Sequence, residues 1–144
     1  MPVSTKHSTT IYTDTLWTKA AIIGSTWAAI EIIVGSFLHN LNVPFAGTLL
    51  AATGVFLLIS YSGIWNQNGL ILRAAIICSL MKSISPSAVI LGPMIGIFME
   101  GLILEIILFI IGRNLIGFIL AGALAVLWSL IQKVLYIILV YGLD

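Results

Sequence analysis

Charge is what this sequence has least of. Of its 144 residues only 8% are Asp, Glu, Lys or Arg, where a soluble domain carries roughly 25%. The bases are Lys6, Lys19, Arg73, Lys82, Arg113 and Lys133; the acids are Asp14, Glu31, Glu100, Glu105 and Asp144. So few charges cannot coat a globule of this size, which excludes a water-soluble fold and turns most of the surface to lipid. With a net charge of only +1 and no basic tract, no nucleic-acid partner is expected. Cys78 is the single cysteine, so no intramolecular disulfide forms. With two histidines beside it, a conventional zinc or copper site is not expected. The chain has no H-E-x-x-H, no G-x-S-x-G and no phosphate loop. With no recognisable nucleophile–base pair either, it reads as non-enzymatic and without a cofactor. The opening residues MPVSTKHSTTIYTDTL hold no apolar core, so no secretory signal peptide is expected.

Apolar side chains fill the space the charges leave. They make up 60% of the sequence, and the mean hydropathy is +1.19. A membrane-crossing helix needs about 20 apolar residues. After a polar segment over 1–15, spans are expected near 16–38, 44–61, 69–84, 87–111 and 115–141. Asp14 or Thr15 is available to cap the first, and His39–Pro44, with two Asn and a Pro, ends it. The third is the weakest, interrupted by Arg73; the fifth is too long for one upright crossing. The strict alternation of an outer-membrane barrel is missing, and lipid excludes open sheet edges. The fold class is therefore an all-α integral membrane protein, one bundle of about five helices with a range of four to six. The basic residues favour a cytoplasmic N-terminus: Lys6, Lys19 and Arg113 fall on one side of five spans and Lys82 on the other.

The stretch Ser83–Glu105 concentrates the unusual chemistry. It carries Pro86, Pro93, a Gly92-x-x-x-Gly96 pair, Glu100 and Glu105, with Lys82 at its entrance. The prolines predict a broken fourth helix, a device that frees backbone groups for a ligand or else forms a kink packed by the glycines. Glu31, deep in the first span, and Glu100 each cost about 2.5–3.5 kcal/mol to bury. Glu105, five residues on and about 140° round the helix, faces another way. Lys82, Arg73 and Lys133 are the candidate partners, either in structural ion pairs or around a polar cavity. Glu100 is expected to face the interior and approach Lys82, Arg73 or Glu31. A binding cavity would be lined by Trp27, Glu31, Asn42, Lys82 and Glu100; a structural subunit would instead be solidly packed.

Small residues recur along the first span as Ala20-x-x-x-Gly24-x-x-x-Ala28, and beside it as Ala21-x-x-x-Ser25-x-x-x-Ala29. Close backbone approach drives helix association in lipid. These stripes therefore serve either internal packing or docking of another membrane subunit; Gly92/Gly96 and Gly117/Ala121 read as internal.

Taken together the pattern resembles the substrate-binding components of energy-coupling factor transporters. The carrying features are the small residues Ala20, Gly24 and Ala28, the Pro-containing turn His39–Pro44, and Ile97-Phe98-Met99-Glu100-Gly101 in a late Pro/Gly helix. The resemblance implies a vitamin or micronutrient importer in the inner membrane of a prokaryote. It further implies a small-molecule solute, and docking through Ala20, Gly24 and Ala28 on a transmembrane coupling subunit served by separate ATPases. Two departures stand out: members of that family usually have six spans, and the Met-His start of its nickel and cobalt branch is replaced here by Met-Pro-Val-Ser.

Overall fold

The computed structural model describes residues 6–84 and 91–142. Five helices follow one another: α1 (Lys6–Asn40), α2 (Ala46–Ile64), α3 (Leu70–Ser83), α4 (Leu91–Ile111) and α5 (Leu115–Tyr141). No strand occurs among the described residues. The chain is an all-α membrane bundle in which Thr15–Asn40 and helices α2, α4 and α5 are long and apolar enough to cross a bilayer.

Helix α1 starts ahead of the expected boundary. Between Lys6 and Thr15 there is neither Pro nor Gly, so the helix of the span propagates through its polar lead-in. At its other end Asn42 is left-handed, φ 50°. The amides of Leu41 and Val43 return to the carbonyls of Phe37 and Leu38, which closes the helix. Pro93 interrupts nothing in α4. Among the described residues it is the third of that helix, and every residue from there to Ile111 is helical. Helix α4 is continuous from Leu91 to Ile111 rather than broken by Pro/Gly; Pro86 lies outside the described residues.

The short α3 holds the bundle together. Its 14 residues rise about 21 Å, less than the roughly 30 Å hydrocarbon thickness, so the expected third span is a partial one. Yet half of it is buried: Leu70, Ile71, Ala74, Ala75, Cys78, Ser79 and Lys82. Helices α1 and α4 pack on either side of it, α5 packs on α4, and α2 closes the ring between α5 and α1. Small residues set the spacing. A Cβ at Gly24 would lie 2.7 Å from the Ala74 carbonyl, and one at Gly101 would run into the Ala75 methyl. The Trp27 indole fills the centre, lying flush on Gly54 of α2.

This corrects the docking assignment. Ala20 and Ala28 are fully buried and Gly24 is seated on Ala74 and Ile77 of α3, so this stripe is occupied within the chain. The neighbouring Ala21, Ser25 and Ala29 are the exposed ones.

Candidate functional site

Two polar clusters sit inside the apolar bundle, one at each end of α3. The first lies at its C-terminal end. Lys82, in the last turn, reaches α1, where its Nζ donates to the Glu31 carbonyl oxygen at 3.0 Å. The same Nζ stands 3.9 Å from the Glu31 carboxylate. The ammonium also lies against Gly35, one turn further along α1.

Glu100 comes in from α4 and is 4% exposed. It faces the interior, within electrostatic reach of Glu31. Cys78, fully buried on α3, is within reach of Glu31, Lys82 and Glu100 together. Glu100 makes no ion pair with Lys82, which is engaged by Glu31, and its Oε2 is buried with no hydrogen-bond partner. The Trp27 indole N–H is in the same condition: it lies beside the Glu31 carboxylate one turn along α1, outside hydrogen-bonding geometry. A donor and an acceptor are thus both left over in one buried region, a costly arrangement in a core.

Of the five residues expected to line a site, the structure brings together Trp27, Glu31, Lys82 and Glu100. Asn42 does not join them. It is an exposed turn residue, and its part is to end α1 in a conformation that Asn tolerates. The expected cavity is not formed around the four either. A groove of about 310 Å³ runs between α4 and α5, lined by residues such as Ile103, Ile107, Leu124 and Trp128. A second, of about 250 Å³, is lined by Ser79, Leu91, Met94, Ile95, Phe98 and Met99. Neither is lined by any of the four.

The second cluster lies at the N-terminal end of α3 and was not expected. Helix α3 follows Gly69, φ 79°, and no side chain at its N-cap position satisfies its first amides. Glu105 of α4 supplies the acceptor from across the bundle. One carboxylate oxygen accepts from the Gly69 amide at 2.5 Å, the other from Ile71 at 3.0 Å and Leu72 at 3.3 Å. Negative charge at a helix N-terminus is favourable on both hydrogen-bonding and dipole grounds. Arg113, 3.6 Å from the carboxylate, ties the arrangement to the α2–α3 loop by donating to Asn66 Oδ1 and the Gln67 carbonyl, both at 2.7 Å. Lys19 donates to Gln67 Oε1 at 3.1 Å and lies over the Trp65 ring.

The partners expected for the buried acids serve elsewhere. Arg73 turns back to the Gly69 carbonyl and covers the Trp17 ring, and Lys133 lies 4.4 Å over Phe45. Gln132 donates to the Gly92 carbonyl at 2.6 Å, pinning α5 to the start of α4. The sequence does carry a trace of the Glu105 cluster: a helix entered through glycine, with no Ser, Thr or Asp to cap it, must find its acceptor elsewhere. Comparison with known proteins adds no relative, since no family model, no curated protein and no solved structure matches this chain.

Proposed function

We propose that this chain is a non-enzymatic, membrane-embedded solute-binding component of a micronutrient importer, energised by a separate module. Its solute is recognised at the Glu31–Lys82–Glu100 cluster. One observation carries the reading: the Glu100 Oε2 is buried, acceptor-competent and unpartnered, beside an ion pair that is already complete. Ionisable groups at such depth are retained for binding or transport more often than for stability. The face offered to a coupling subunit is the outer stripe, Ala21, Ser25 and Ala29, where a partner helix finds small residues and free surface. Lys19, Arg73 and Arg113 gather at the end where α1 enters the bundle, which favours a cytoplasmic N-terminus.

A second reading, a structural subunit of a larger complex with no ligand, is favoured by one fact: neither groove opens onto the cluster. Thermal unfolding of the purified protein against a panel of water-soluble vitamins, including cationic thiamine and anionic biotin, separates the two. The binding reading expects one solute to raise Tm in the wild type and to lose that effect in Glu100→Gln, with the ligand-free Tm nearly unchanged. If no solute moves Tm, and Glu100→Gln alone lowers it by several degrees, the structural reading takes its place.

A further inference from the structure

The central cluster is one positive charge short. It holds two carboxylates, Glu31 and Glu100, and one cation, Lys82. Lys82 is committed to Glu31 through both the backbone oxygen and the carboxylate. The groups that face Glu100 can be taken element by element. From α1 comes Glu31, a like charge; from α3 comes Cys78, while Lys82 of that helix is held by Glu31 and Arg73 by the Gly69 carbonyl. Helix α2 has no charged residue between Ala46 and Ile64, only Tyr61 near its far end. Helix α5 offers Lys133, which is placed over Phe45, and Tyr136, which is half exposed. On α4 itself, Glu105 is bound to the start of α3. Among the described residues no second cation is left to neutralise Glu100.

Whatever supplies the missing charge in the closed, solute-free bundle must be small. Trp27, Glu31, Lys82 and Glu100 are at most 9% exposed, and neither groove includes them. An alkali ion needs several oxygen ligands, whereas here the Glu31 carbonyl already accepts from Lys82. Among the described residues no three His, Cys, Asp or Glu side chains form a metal set. A proton needs no volume and a single oxygen.

We infer that Glu100 is a proton-binding site, carrying an exchangeable proton that leaves the cluster neutral as Glu31 carboxylate, Lys82 ammonium and Glu100 carboxylic acid. The step is a simple association: a proton from the water phase adds to a Glu100 carboxylate oxygen, and no other bond forms or breaks. Intramembrane carboxyls that exchange protons are the working parts of proton relays. The inference uses the same residues as the solute-binding reading but depends on no solute, so each stands or falls separately.

Infrared spectroscopy of the full chain reconstituted in lipid at neutral pH tests it. The wild type should show the C=O stretch of a protonated carboxylic acid, moved by exchange into heavy water. Glu100→Gln should abolish it and Glu105→Gln should leave it. Should Glu100→Gln not fold, Glu100→Asp keeps a carboxyl and should shift the band instead of removing it. Absence of the band from the folded wild type overturns the inference, as does its survival in Glu100→Gln or an unmoved band in Glu100→Asp. A wild type without the band that is instead stabilised by sodium chloride relative to choline chloride assigns the missing charge to a metal ion, and also overturns it.

Discussion

Glu105 offers the sharpest perturbation of this bundle, because one side chain serves three backbone amides and one guanidinium. Glu105→Ala leaves the amides of Gly69, Ile71 and Leu72 without their acceptor and removes the carboxylate opposite Arg113. An N-cap alone is worth about 0.5–2 kcal/mol, and a hydrogen bond to a charged group about 1.5–3 kcal/mol. Breaking a buried ion pair on one side costs about 3–5 kcal/mol. The side chains of Arg113 and Glu105 are only 8% and 12% exposed, so solvent does little to replace what is lost. These effects overlap and do not sum; Arg113 also keeps Asn66 and the Gln67 carbonyl. The expected loss is therefore about 3–4 kcal/mol for Glu105→Ala. Glu105→Gln retains one carbonyl oxygen for the amides and should lose about 2 kcal/mol. Equilibrium unfolding in detergent gives the magnitudes, and hydrogen exchange locates them, since amides 69–72 should lose protection ahead of the rest of α3. A Glu105→Ala protein within about 0.5 kcal/mol of the wild type, with those amides still protected, would refute the capping argument.

Two further outcomes follow from the same packing. Gly101→Val should separate α3 from α4 at Ala75 and cost about 1–3 kcal/mol or more, read by unfolding; a neutral result would mean the helices are not in contact there. Lys82→Met strands the buried Glu31 carboxylate and should cost about 3–5 kcal/mol, most of it recovered in the double variant with Glu31→Gln. A double variant no better than Lys82→Met would show that the ion pair is not what the lysine provides.

What the sequence showed of this molecule follows from what lipid can and cannot distinguish. The long apolar runs marked four spans to within a few residues at most ends, because about 20 apolar residues have few other uses. The burial of Glu31 and Glu100 was legible for the same reason, ionisable groups being excluded from hydrocarbon; that of Lys82, read as a charge at the end of a span, was not. Which face of a helix meets protein was not legible. Ala20, Gly24 and Ala28 form a stripe of small uncharged residues just as Ala21, Ser25 and Ala29 do, yet the first set is buried and the second faces outward. Lipid tails and buried side chains are equally apolar, so periodicity carries no inside–outside signal here. The part Asn42 plays was hidden because a polar residue at a span end serves a turn as readily as a ligand. The Glu105 cluster joins residues 33 to 36 positions apart, a separation over which no local pattern reports.

The short third helix has a consequence for how the protein is made. A segment of 14 residues with a charge near each end, Arg73 and Lys82, is too short to cross the hydrocarbon by itself. Its acceptable neighbours arrive at different times. Glu31, which takes Lys82, and Gly24, which seats Ala74, are synthesised before it; Glu105, which completes its first turn, is synthesised after it. Helix α3 can therefore lean on α1 as soon as it emerges, while its leading amides stay open until α4 has entered the membrane. The contacts of α3 are thus expected to be complete only after α4 is in place.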